Sequence, residues 1–338
     1  MHIIIAGGCG FIGSNFVKMV VAKRPAWRVT VVDALTYAGN LANLADTGLD
    51  LAHAFAKGNI SDNGFVERLF GGFPEPPECV VNFAAESHVD RSILGPRAFI
   101  ETNILGAFNL LERVRLAGRG RFVQISTDEV YGSLGDEGKF TELTPLDPSS
   151  PYSASKASAD LLVQAHHRTF GVDTVITRCS NNYGPYQFPE KLIPLMTINA
   201  MQGKELPVYG AGRNVRDWIH AEDHCRGILM AIERGRSGEV YNFGGESEMA
   251  NIQIVERIAD AVTGGRDLIR FVKDRPGHDW RYAMDITKVR DEMGWSPAVT
   301  FDDGLRATVE WYKEHRNWWQ PILTGEYLTF YDQWYNNR

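Results

Sequence analysis

A hydroxyl and two adjacent carboxyls, Thr127, Asp128 and Glu129, follow the apolar run Phe122-Val123-Gln124-Ile125, where a buried strand should end. In a doubly wound sheet the carboxyl ends of the strands face the ligand crevice, so these groups would meet a substrate rather than bulk water. Farther along, Tyr152 and Lys156 stand four residues apart, which on a helix places phenol and ammonium on one face. A cation beside a phenol favours the phenolate. Adjacent acids after a strand are by themselves an ordinary solvated loop, but Tyr152 and Lys156 weaken that reading. Hydroxyl, acid, base and activated tyrosine together suit chemistry at a carbon bearing a hydroxyl.

Such a set needs a scaffold, and the chain supplies one from its first residues. His2-Ile3-Ile4-Ile5-Ala6 is a continuous apolar run, as in a buried parallel strand, and it runs into Gly7-Gly8-Cys9-Gly10-Phe11-Ile12-Gly13. Glycines there, with the helical pattern Phe16, Val17, Val20, Val21 behind them, let a pyrophosphate approach the helix N-terminus. The second strand, Arg28 to Val32, ends at Asp33, whose carboxylate would accept from the adenosine ribose hydroxyls and repel a 2′-phosphate; the expected cofactor is NAD rather than NADP. Leu51 to Ala56 reads as a third strand ending near Asn59-Ile60. Cys79 to Phe83 reads as a fourth, with small residues Ala84 and Ala85 leaving room for the cofactor. A helical pattern from Pro96 to Leu116 leads to the fifth strand. Alternating strands and helices predict an α/β, Rossmann-type doubly wound parallel sheet.

The composition changes at Asn181, where polar, aromatic and proline residues begin a smaller second lobe. We expect an NAD-binding domain over residues 1–180 plus about 219–245, and a discontinuous substrate domain over about 181–218 plus 246–338. A return strand is expected at Gly238 to Phe243, and a helix opening at Asn251. Leu206 to Gly210 and Asn214 to Trp218 read as a clamp of strand edge, Tyr209 and Arg216, whose planar guanidinium suits a diphosphate.

With 338 residues, 44% of them hydrophobic, the chain exceeds the size at which single cores stop growing. A net charge of -7 argues against binding nucleic acid through phosphate neutralisation. Cys9, Cys79, Cys179 and Cys225 are widely spaced without a C-x-x-C pair, and no secretory or membrane-spanning run is present, so a cytoplasmic location is expected. No metal is expected: a helix start near Ala221 explains His220, Asp223 and His224, and adjacent His166 and His167 cannot share one ligand. Trp311, Trp318, Trp319 and Trp334 read as core or subunit contact.

Over nearly its whole length the chain resembles the extended short-chain dehydrogenase/reductases, and within them the branch that dehydrates dTDP-glucose. The resemblance lies in Gly7 to Gly13, Asp33 through Asn40, Ala84 through Ser92, Asp128-Glu129, Tyr152 to Lys156, Asn181 to Pro194, Arg216-Asp217-Trp218 and Arg275 to Asp279. It implies catalytic roles for Thr127, Asp128, Glu129, Tyr152 and Lys156. Along NAD it implies Gly7, Gly10, Phe11, Ile12, Gly13, Asp33, Ala34, Leu35, Thr36, Asn59, Ile60, Phe83, Ala84, Ala85, Thr102 and Asn182. For the nucleotide sugar it implies Ser87, Thr127, Asn181, Lys191, Leu192, Pro207, Tyr209, Arg216, Asn251, Arg275 and His278. Asn59 departs from the family's usual aspartate. The implied activity is a lyase reaction in three stages, C4 oxidation, loss of water across C5 and C6, and hydride return to C6, in a homodimer joined through helices near 96–116 and 152–170. A UDP-glucose dehydratase, a 4-epimerase and a non-catalytic dinucleotide sensor are the alternatives; the Asp128-Glu129 pair disfavours the epimerase, and Tyr152 with Lys156 the sensor.

Overall fold

The computed structural model describes residues 1–324 and 327. Seven strands form the main sheet: β1 (His2–Ala6), β2 (Arg28–Asp33), β3 (Phe55–Lys57), β4 (Cys79–Asn82), β5 (Arg121–Thr127), β6 (Asp173–Cys179) and, after an excursion, β10 (Glu239–Phe243). Their order is β10-β6-β5-β4-β1-β2-β3, and every pairing is parallel. Both faces are buried, which is why these strands read as unbroken apolar runs. Ile3, Ile5, Val31, Val81 and Val123 face one core, beneath helices Phe11–Lys23 and Ala221–Arg234. Ile4, Ala6, Val32, Val80 and Phe122 face the other, beneath helices Ala107–Ala117 and Pro151–Phe170.

The second lobe contains β7 (Asn181–Tyr183), β9 (Val215–His220) and β11 (Glu248–Ala250) in one small sheet, and β8 (Leu206–Tyr209) with β12 (Ile269–Val272) in another. Helices Leu192–Met201, Asn251–Thr263 and Phe301–Glu314 close its core around Met196, Leu206, Ile254, Ile258 and Leu305. The helix Thr287–Met293, which the sequence places in the second domain, packs instead on β10 and the Ala221–Arg234 helix; Ile286, Val289, Met293 and Trp295 complete the first core.

Two expected elements differ. Leu51–Ala54 is a helical turn rather than strand, because the Asp50 carboxylate accepts from the Ala52 amide and caps it; the strand is only Phe55–Lys57. The helical run from Arg97 to Ala117 contains a π-helical stretch, Ile100–Gly106. Within it Thr102 lines a cavity of about 110 Å³ at the strand ends, and Asn103 Nδ2 donates to the Glu86 carbonyl and to Ser155 Oγ. Trp319 is buried, and Trp311 and Trp318 are half-buried in an aromatic cluster; Trp334 lies outside the described residues.

Candidate active site

The first loop is shaped by its glycines. Gly7 has φ +76°, and a Cβ there would lie 2.5 Å from the Ala84 nitrogen; a Cβ on Gly13 would lie 2.1 Å from the Gly7 carbonyl oxygen. Backbone approach this close, at a helix N-terminus, leaves a cradle for phosphate. At the end of β2, both Asp33 oxygens accept backbone amides, Oδ1 from Leu35 at 2.8 Å and Oδ2 from Cys9 at 2.9 Å. These bonds fix the carboxylate while leaving lone pairs for ribose hydroxyls. Leu35 adopts φ +53° to make its bond, a costly conformation for a branched residue.

A cavity of about 240 Å³ opens above these strand ends. It is lined by Gly7, Gly10, Phe11, Ile12, Gly13, Phe83, Ala85, Ser87, Thr127, Asp128, Glu129, Tyr152, Lys156, Asn181, Asn182 and Lys191, all singled out from sequence. A smaller cavity of about 110 Å³ adjoins it through Gly7, Gly10, Ala38, Phe83 and Ala85, and adds Asp33, Ala34, Thr36, Asn59, Ile60, Ala84 and Thr102. Leu35 borders neither cavity and acts through its amide on Asp33.

Leu192, Pro207, Tyr209, Arg216, Asn251, Arg275 and His278 also lie outside both cavities, in the second lobe. Leu192 opens a helix, Pro207 sits in β8, and the Asn251 amide is held by the Asn214 carbonyl. Tyr209 donates to Asp90 Oδ2 at 3.0 Å, and the Arg275 guanidinium stands 3.6 Å from Asp90 Oδ1. His278 bonds Asp274 through Nδ1 at 2.6 Å. The Arg216 guanidinium lies over the Tyr282 ring at 4.2 Å and donates to the carbonyls of Val215, Trp280 and Asp279.

The local fold sets the chemistry of the central groups. Thr127 ends β5 and caps a short 3₁₀ turn: its Oγ1 accepts from the Glu129 amide and donates to Asp128 Oδ1 at 3.1 Å. Across the cavity, Ser150 and Ser153 form a reciprocal capping box with Pro151 at the first helical position, which fixes Tyr152 and Lys156 in the opening turns. Lys156 Nζ donates to the Ile125 carbonyl at 2.6 Å.

The two carboxyls are tuned apart. Asp128 is 2% exposed and its Oδ2 has no hydrogen-bond partner; burial first, then the charges of Glu129 and Asp217, raise its pKa well above the usual carboxylate range. Glu129 is also raised by burial, but Arg275, Lys191 and Arg216 all pull it back. Of the two, Asp128 therefore holds a proton more firmly than Glu129. Tyr152 is raised well above 10 by burial and next by Glu129, with the Thr127 hydroxyl opposing. Burial lowers Lys156, and Asp160 counters.

Sequence reasoning missed the layer beneath. Asp160, one helical turn beyond Lys156, is fully buried and accepts from Arg178 Nε at 2.9 Å and Ser126 Oγ at 3.0 Å. Arg178 lies inside β6 and donates to the Tyr131 hydroxyl, which in turn donates to Asn242 Oδ1. The signal available was Asp160 itself, a second charge on the Tyr152-Lys156 face. His224, read from sequence only as part of a helix start, also belongs to this layer. Its Nδ1 pairs with Asn182 Oδ1 at 2.9 Å, while Asn182 Nδ2 donates to the Ser180 carbonyl and Cys179 sulfur.

That histidine makes a measurable prediction. Burial lowers its pKa to about 3, far below the value near 6.5 expected for an unfolded chain. Its contribution to stability is therefore present above pH 6.5 and lost as pH falls toward its folded value, by up to about 1.4 kcal/mol per pH unit. Asp217, held up to about 6 by burial, works in the opposite direction, so the difference between two proteins is the informative quantity. The stability advantage of the wild type over His224→Gln, read from urea midpoints, should shrink steadily between pH 6.5 and 4. A constant difference would refute the neutral, buried assignment.

The family profile described as GDP-mannose 4,6 dehydratase matches residues 4–308. A dTDP-glucose 4,6-dehydratase of Xanthomonas campestris pv. campestris is 50% identical, over 96% of each chain. The chain belongs to the dTDP-glucose 4,6-dehydratase family. Among dTDP-glucose 4,6-dehydratases of known structure, DesIV of Streptomyces venezuelae, solved with NAD, superimposes with a TM-score of 0.90 at 49% identity, covering 95% of this chain and all of that one. A UDP-glucose 4-epimerase of Thermotoga maritima shares the fold at TM-score 0.85 but only 30% identity, over 93% of this chain and 99% of that one.

Proposed function

We infer that this chain is a hydro-lyase that converts dTDP-glucose to dTDP-4-keto-6-deoxyglucose with NAD as its cofactor. The observation that carries the reading is the placing of Asp128 and Glu129, adjacent carboxyls in different charge surroundings, in one cavity with Tyr152 and Lys156. A 4-epimerase needs the tyrosine and lysine but has no use for an acid and a base at C5 and C6.

The residues fit the dinucleotide: the Gly7 and Gly13 cradle would hold its pyrophosphate, and Asp33 its adenosine ribose. When bound, NAD supplies a hydride acceptor for C4, a donor for C6, and a positive charge beside the phenol. Burial and then the charge of Glu129 oppose ionisation of the Tyr152 phenol, so its activation depends on the positive charge of bound NAD together with Lys156. Tyr152 then takes the proton of the sugar 4-hydroxyl. The resulting 4-ketone acidifies the hydrogen on C5; Glu129 removes it and gives the proton back to C5 when C6 receives its hydride. Asp128 gives its proton to the 6-hydroxyl, which leaves as water. Lys191, whose Nζ donates to the Ser87 carbonyl at 2.7 Å, and Arg275 and Arg216 supply positive charge on the side where a diphosphate would lie.

The test is a panel of dTDP-, UDP- and CDP-glucose with product identification and the alkali-induced absorbance of a keto sugar. A 4-keto-6-deoxy product, formed fastest from dTDP-glucose, is expected; dTDP-galactose as the product would favour the epimerase.

We further propose a homodimer in a reduced, cytoplasmic compartment. All four cysteines are free and buried, and no helix among the described residues is long and apolar enough to cross a membrane. Leu105, Phe108 and Leu116 on one helical run and Leu161 and Phe170 on its neighbour are exposed, which is more apolar side chain than a solvated helix pair usually presents. Sedimentation of the chain as a monomer would remove the dimer from this reading.

A further inference from the structure

The reaction above takes a hydride from the sugar and returns it to the same sugar, so the dinucleotide must not leave between the two transfers. A group of side chains at the edge of its cavity takes no part in any chemical step. Tyr37, in the turn after β2, has the Arg91 guanidinium over its ring at 4.0 Å and Phe188 edge-on at 5.3 Å. Arg91 Nε donates to Glu190 Oε2 at 2.8 Å, and Glu190 is 5% exposed. The Tyr37 phenol faces the carboxyls of Glu190 and Glu86.

These contacts join two stretches of chain across the site. Tyr37 and Arg91 belong to the first lobe, whereas Phe188 and Glu190 lie in the segment leading from β7 into the second. Ala38, next to Tyr37, borders the main cavity, its smaller neighbour and a third cavity of about 250 Å³. Both stretches are anchored beside the cradle. The Asn40 amide donates to the Cys9 carbonyl at 3.1 Å, and Asn15 Nδ2, on the first helix, donates to the Pro185 carbonyl at 3.0 Å. Opening the cavity at this edge therefore means separating a half-buried arginine from a buried carboxylate. Such a separation is costly because each charge then lacks its partner.

We propose that Tyr37, Arg91 and Glu190 form a clasp that holds the turn after β2 and the segment after β7 together over the bound dinucleotide, making NAD a slowly exchanging, resident group. The inference rests on the dinucleotide reading of this site and adds retention residues to it. None of the three is a catalytic residue; they act on the cofactor through the walls they join.

The experiment follows exchange of cofactor rather than turnover. Holoenzyme is mixed with an excess of isotopically labelled NAD, and the label on the protein is read after rapid gel filtration at successive times. Glu190→Gln, nearly isosteric, and Tyr37→Phe, which keeps the ring against Arg91 and Phe188, should each exchange about 10- to 100-fold faster than the wild type, the range for one lost hydrogen bond to a charged group. Both variants should also gain activity when NAD is added, whereas the wild type should not. A merely structural contact would lower the thermal midpoint and leave exchange alone. Exchange at the wild-type rate in both variants overturns the clasp while leaving the site reading intact. A wild-type chain that neither carries nor takes up NAD overturns both.

Discussion

Replacing Glu129 by glutamine should stop the reaction after its first oxidation, so that mixing with dTDP-glucose builds up the absorbance of reduced nicotinamide on the protein without releasing keto product. The C5 proton then has no base, and overall turnover should fall by about 10² to 10⁴. The same change removes the negative charge that, after burial, most opposes ionisation of Tyr152, so the oxidation itself should persist to lower pH than in the wild type. Asp128→Asn should differ, since Glu129 can still take the C5 proton. Exchange of that hydrogen with deuterated solvent should then outrun loss of water. Tyr152→Phe should give no absorbance change. If Glu129→Gln gave none while Tyr152→Phe did, the base roles would be reversed and the mechanism would fall.

The second large effect concerns stability. Asp160→Asn leaves the Arg178 guanidinium, 2% exposed, without its carboxylate and takes away the negative charge that supports buried Lys156. Breaking a buried pair on one side costs about 3 to 5 kcal/mol. Removing both charges, in Asp160→Asn with Arg178→Met, should recover much of that loss, because no uncompensated ion remains. Denaturant unfolding of the single and double variants measures the coupling directly; additive losses would show that the pair contributes only packing.

How far the sequence led depended on whether a residue's role was local. The glycine loop, Asp33 and the run into Thr127 follow from short patterns with a direct physical meaning, and these residues line two adjoining cavities. The third strand was overcalled because Leu51 to Ala54 is apolar enough for a strand, while the deciding factor, the Asp50 cap, is a single hydrogen bond. Arg178 and Asp160 were not legible as a pair, since their bond joins β6 to a helix eighteen residues earlier and nothing in the spacing announces it. Arg216 was legible as a cation of the second lobe but not in its hold on three carbonyls, which requires knowing where Asp279 and Trp280 return.

The placing of helix Thr287–Met293 against β10 bears on how such a catalyst can be rebuilt. Because late segments of the chain return to complete the first core, with Ile286, Val289, Met293 and Trp295 packed among residues from β1 to β10, neither lobe is encoded by one continuous stretch. Cutting the gene once and fusing the front of this chain to the back of a relative would cut through a shared core, not between modules. New sugar specificities are therefore more accessible through exchange of individual loops, such as the segment from Asp274 to Asp279, than through transplantation of a lobe. Recombination libraries should show it: chimeras joined within residues 221–295 should be insoluble far more often than those with only short loops exchanged.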